Sequence, residues 1–255
     1  MRHAGQKVIC HPDVNFLTGC SGRNRVDNSE AQEKDQGMNN EPAIPAKVKP
    51  LLRGHFHQGA FYFAMGACAM LIADAHGPRA TVATIIYAIC ICTLFGISAL
   101  YHRPMWDVGP RTLMKRLDHA AIFLMIAGTA TPISMLAISG EDGNKLMAIL
   151  WAFAFFGVMQ SLFWVKAPRW LSAILYVVMG WLSVPYLPEM KVILGEGRIW
   201  LLLAGGIVYT VGAVIYATKK PNPWPKYFGY HEIFHILVII AAVLHFIVVS
   251  SLVMG

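Results

Sequence analysis

Disulfide chemistry has little to work with in this chain. Five cysteines occur in 255 residues. The number is odd and three of them, Cys68, Cys90 and Cys92, sit inside apolar runs, so no disulfide framework is expected. Cys10 and Cys20 stand beside His11 in a polar stretch without a second paired metal motif, and no role is assigned to them. The first fifty residues also lack an apolar run of the kind that forms a signal-peptide core, so an uncleaved N-terminus is expected. Charge is sparse too, at 14% of residues.

The chain divides at about residue 50. Residues 1–50 carry seven Lys/Arg and six Asp/Glu. Such a stretch buries too little apolar surface to offset its ordering entropy, and a disordered polar cytoplasmic tail is expected. Residues 51–255 have the opposite character. Seven apolar segments run roughly over 56–75, 80–101, 120–139, 146–165, 171–187, 199–218 and 233–254. Each approaches the ~17–25 residues that a helix needs to cross a bilayer. The fold class expected is therefore all-α, an integral seven-helix transmembrane bundle.

Basic residues give the orientation. With the N-terminus inside, Lys47, Lys49, Arg53, Arg103, Arg111, Lys115, Arg116, Lys166, Arg169, Lys219, Lys220 and Lys226 fall on the cytoplasmic side. Arg79, Lys145, Lys191 and Arg198 fall on the other. The imbalance predicts a cytoplasmic N-terminus and an outside C-terminus. The formal net charge of +7 is then accounted for by topology and by attraction to anionic lipid headgroups. Nucleic acid has no place among the expected partners, and the location expected is the plasma membrane, the inner membrane of a bacterium.

Ionisable groups at membrane depth are rare and usually functional. The last span opens with His231-Glu232-Ile233-Phe234-His235, two imidazoles on one face of a helix at i and i+4. His102 closes the second span and Asp118 opens the third, at the same expected leaflet. Three imidazoles with an open fourth position form the ligand set of a catalytic zinc site. Asp118 would then orient or deprotonate a water, or ligate directly. Ser98, one turn before His102, is a candidate partner for that site or for substrate.

Other histidines fit less well. His119 points about 100° away from Asp118, and His245 lies too far along the last span, where an interhelical hydrogen bond is expected. His55, His57 and His76 flank the first span and read as interfacial. Six tryptophans near span ends suit an aromatic belt.

Three separated motifs carry a resemblance. They are Ser98-Ala99-Leu100-Tyr101-His102, Leu117-Asp118-His119-Ala120-Ala121-Ile122-Phe123 running into Ala127-Gly128-Thr129-Ala130-Thr131-Pro132, and Phe228-Gly229-Tyr230-His231-Glu232-Ile233-Phe234-His235. Together they closely resemble the bacterial hemolysin III family, the prokaryotic branch of the progestin and adipoQ receptor superfamily that includes adiponectin receptors. The resemblance covers residues 51–255 and leaves out the tail. It implies zinc (Zn2+) near the cytoplasmic face, with His102, His231 and His235 as ligands, Asp118 holding a zinc-bound water and Ser98 beside it. In the receptor branch and in related alkaline ceramidases such a site is associated with hydrolysis of lipid amides.

The expected function is a zinc-dependent hydrolase of a ceramide-like lipid amide, with membrane lipids as partners. The alternative is a non-catalytic membrane sensor, lipid-homeostasis factor or pore-forming, haemolytic protein with a structural zinc. A zinc protease is a further reading, because His231 to His235 spells H-E-x-x-H with Glu232 as base; the missing Leu-Asp-Gly motif argues against it. A haem protein fits least, since no c-type attachment motif is present.

Overall fold

A computed structural model describes Pro50, residues 52–164 and residues 167–255. The expected polar tail, with Cys10, His11 and Cys20, lies outside the described residues, as do Lys47, Lys49 and Lys166 of the charge tally. Among the described residues the protein is helical throughout, with one isolated bridge between Trp224 and Phe228. The helices are α1 (His55–Ala73), α2 (Pro78–His102), α3 (Val108–Leu136), α4 (Gly140–Phe163), α5 (Arg169–Trp181), α6 (Leu187–Thr218) and α7 (Tyr230–Val253).

Among the described residues six segments are long and apolar enough to cross a membrane, where seven spans were expected. The difference lies in the fifth. α5 has 13 residues and rises only about 20 Å, short of a bilayer core of roughly 30 Å. Pro185 accounts for its end. A proline has no N–H to donate and its ring clashes with the carbonyl four residues back, here that of Trp181. The chain tightens into a 3-10 turn over Val184–Tyr186 before α6 begins. α6 is itself interrupted at Gly195, whose φ of 73° and ψ of 168° leave the helical region. By length and composition, Arg169–Thr218 therefore counts as one membrane-capable stretch.

α3 is the centre of the bundle and packs on α2, α4, α5 and α7. α1 lies against α2 and α7, and α6 against α5 and α7. Small residues let the backbones approach, since apolar side chains gain no hydrophobic drive from leaving lipid. A Cβ on Gly128 of α3 would collide with Cys90 of α2. One apolar core joins Leu71, Tyr87, Leu94, Phe95, Met125 and Val249. A second joins Phe123, Leu146, Leu150, Met190, Leu202 and Val248. Cys68, Cys90 and Cys92 are free thiols.

Candidate metal centre

The alternation of helix directions brings the start of α1, the end of α2, the first half of α3 and the start of α7 to one end of the bundle. The ionisable residues singled out in the sequence converge there. His102 and Ser98, one turn apart on α2, are buried, as are Asp118 of α3 and His235 of α7, while His231 is half-buried. The Nε2 atoms of His102 and His231 stand 3.0 Å apart. One ligand nitrogen from each of His102, His231 and His235 lies within 4.8 Å of the other two. Nitrogens sharing a tetrahedral zinc at ~2.0–2.1 Å lie about 3.3 Å from one another, so the donor set fits an ion of that size.

Asp118 completes the group. Its Oδ2 is 3.7 Å from Nε2 of His102, and it lines the same cavity as Ser98. A carboxylate at that distance reaches an ion held by the imidazoles either directly or through one water.

Glu232 behaves differently from the base of a zinc protease. Arg53 Nε donates to its Oε1 at 2.7 Å, and the Gly229 backbone N–H donates to its Oε2 at 2.8 Å. Both oxygens are thus engaged in closing the first turn of α7 and tying it to the turn before α1. That turn also covers the site. Gly54 has φ 84°, and a Cβ there would stand 2.8 Å from the Cβ of His102.

His57 corrects the interfacial reading given to the histidines around the first span. It is 2% exposed, and its ring stacks on that of His235, with centroids 3.8 Å apart and planes within 7°. Phe95 meets it edge-on. Neither ring nitrogen has a hydrogen-bond partner of good geometry among the described residues. Burial of α1 against α7, which sequence spacing does not reveal, places it there. His55 and His76 are exposed, as an interfacial position requires. His119 points elsewhere and meets the Tyr216 hydroxyl at 3.2 Å. His245 bonds the Leu202 carbonyl of α6 at 3.1 Å, the interhelical bond expected of it.

From Ser98, Asp118 and His57 a cavity of about 150 Å³ runs into the bundle. It follows α3 as far as Ser134, sixteen residues or roughly 24 Å along the helix axis. Its walls are apolar, with Ile122, Met125, Leu150 and Val238 among them. Gly180 and Gly206 both line the cavity, and beyond each lies open space where a side chain would project. Trp181 beside them is exposed and donates to the Thr210 hydroxyl at 3.0 Å.

Fold and site together define a multi-pass helical membrane protein with a buried three-histidine group able to hold a metal ion. Comparison with known proteins narrows this. The profile of haemolysin-III-related proteins matches residues 46–246, and the chain belongs to that family. As a member with six membrane-capable segments it is a multi-pass protein of the bacterial inner membrane. It is 36% identical to Hemolysin-3 of Bacillus cereus over 169 residues, 66% of this chain and 74% of that one. It is 30% identical to the heptahelical transmembrane protein ADIPOR2 of rice over 153 residues, 54% of this chain and 66% of that one. With the adiponectin receptor protein of Drosophila melanogaster it shares 27% identity over 244 residues, 84% of this chain and 54% of that one.

Proposed function

We propose that this protein is an intramembrane zinc hydrolase acting on a lipid amide of ceramide type. One observation carries the reading: Asp118, 3.7 Å from His102 of the three-imidazole group, lines together with Ser98 an apolar cavity that reaches Gly180 of α5 and Gly206 of α6. Three imidazoles with a carboxylate at hand suit zinc, whereas calcium and magnesium take oxygen ligands. Zinc held there supplies Lewis acidity for activating water and polarising a carbonyl.

The chain's own residues do the rest. His102, His231 and His235 hold the ion. Asp118 orients the attacking water and takes its proton at a carboxylate oxygen, as a general base within hydrogen-bond reach. Ser98, which lines the cavity with Asp118, would hold that carboxylate in place by donating to it. The cavity receives the acyl chain laterally from the membrane, aligns the amide with the water and keeps bulk water out.

The topology belongs to the same proposal. Seven crossings, N-terminus inside and C-terminus outside, follow if the stretch Arg169–Thr218 crosses twice. Two contacts support this. The Arg169 guanidinium lies over the Tyr216 ring at 5.8 Å, and Trp181 bonds Thr210, so α5 runs antiparallel to the last part of α6. Gly195 is then the turn between the two crossings. The name of the rice relative points the same way.

Purified zinc-loaded protein is expected to release fatty acid from ceramide-like substrates, and His235→Ala to abolish release. Equal turnover by the metal-free variant refutes the hydrolase. A second reading has its own support: Asp118 is near enough to His102 to serve as a fourth ligand, closing the site around a structural zinc in a sensor, lipid-homeostasis factor or pore-forming protein. A metal-absorption spectrum showing direct carboxylate ligation in four-coordinate geometry favours it. A water between metal and Asp118 favours hydrolysis.

A further inference from the structure

A second polar site lies at the same end of the bundle, away from the histidine group. α3 contributes Lys115 and Arg116, the end of α4 contributes Gln160, Ser161 and Trp164, and the start of α5 contributes Arg169 and Ser172; these line a pocket of about 30 Å³. No carboxylate lies within 4.0 Å of its three cations among the described residues. Arg116 Nε and the hydroxyl of Ser161, which is 7% exposed, are buried without hydrogen-bond partners. Buried polar groups are almost always satisfied, and a charged donor left unpaired is costly. The start of α5 adds the positive end of a helix dipole. Gln160 Oε1, also without a partner, is an acceptor, but the three cations and the Ser161 hydroxyl outnumber it and call for an anion with several acceptor oxygens.

We infer that the pocket binds a phosphate group, supplied by the headgroup of an anionic phospholipid in the adjoining leaflet, one whose phosphate is not neutralised by its own ammonium. Arg116 and Lys115 would grip the phosphate oxygens, Ser161 would donate to one of them, and Arg169 would close the mouth. Basic pockets between transmembrane helices at a membrane surface recognise anionic headgroups in this way. The size of the pocket is informative. Its volume admits roughly two water-sized groups, enough for phosphate oxygens and too little for a sugar or inositol ring. A lipid is favoured over free phosphate by what stands beside the pocket. Phe163, Trp164 and Trp170 are 79%, 52% and 58% exposed, an apolar collar on which acyl chains would lie and which an inorganic ion would not use.

The test uses the full chain in nanodiscs of phosphatidylcholine with and without phosphatidylglycerol, followed by native mass spectrometry of the released protein. Wild type is expected to retain a phosphatidylglycerol in preference to phosphatidylcholine. Arg116→Gln should lower that retention by about fivefold, the effect of one basic residue at a charged membrane surface. Ser161→Ala, a change too small to threaten folding, should lower it as well. Lys145→Gln, at the other end of the bundle on α4, should leave it unchanged. Millimolar inorganic phosphate should displace the lipid. Equal retention of the two lipids, or full retention by both pocket variants, overturns the proposal. Binding of inorganic phosphate with no lipid retained overturns the assignment of the lipid as its source.

Discussion

His57 stacks on a candidate metal ligand and holds its ring in place, the role that groups behind a metal's ligands commonly have. Replacing it with Leu keeps the site dry and removes the flat partner. His57→Leu is therefore expected to weaken zinc binding by about tenfold, the lower end for residues that orient ligands, as measured by competition with a chelator. Unchanged affinity would mean that the ring only fills space. The sequence announced His102, His231, His235, Asp118 and Ser98 because each carries a local signal: the i, i+4 spacing, an acid or imidazole at a span boundary, a hydroxyl one turn away. His57 carries none. Two residues into the first helix it looks like any interfacial histidine, and only the packing of α1 on α7 distinguishes it. Nor does any local pattern couple Arg53 to Glu232, which are 179 positions apart.

Among the elements, the turn before α1 matters most to the site. Arg53, 23% exposed, anchors it to α7 through a part-buried ion pair in which Glu232 is 1% exposed. Arg53→Ala leaves a buried carboxylate with one hydrogen bond, and a loss of roughly 3 kcal/mol in stability is expected from unpairing such a charge. Thermal unfolding in detergent measures it; a shift within error would place the pair among weak surface bridges. Gly54→Ala is expected to cost about 1–2 kcal/mol for the left-handed backbone alone and to push on His102 besides, so zinc affinity should fall along with stability. A stable variant with a normal metal site would show that the turn yields freely. The break between α5 and α6 was half visible beforehand. Pro185 and Pro188 stand at the end of the fifth apolar run in the sequence, but hydropathy averages over a turn as short as Val184–Tyr186 and reads through Gly195. Where a helix stops is dictated here by backbone stereochemistry, to which apolar content is blind.

The molecule as a whole is organised by the bilayer. Apolar runs, aromatic belts and the placement of Lys and Arg made the helical fold legible from residues alone, because lipid demands that backbone groups be satisfied within each segment. The lateral contacts that form the cavity and the phosphate pocket were not legible, since facing lipid and facing protein call for the same side chains. Orientation can be read by labelling. In a background without native cysteines, Lys145→Cys should react with an impermeant thiol reagent on intact cells, and Arg111→Cys only after permeabilisation; the reverse pattern would turn the bundle over. The central claim is that residues on α2 and α7 share a single metal ion, and zinc analysis of the purified protein tests it most directly. About one zinc per chain is expected in the wild type and almost none in His102→Ala, with the variant still folded. A wild-type protein free of zinc, or a His102→Ala protein that keeps its full complement, would contradict it.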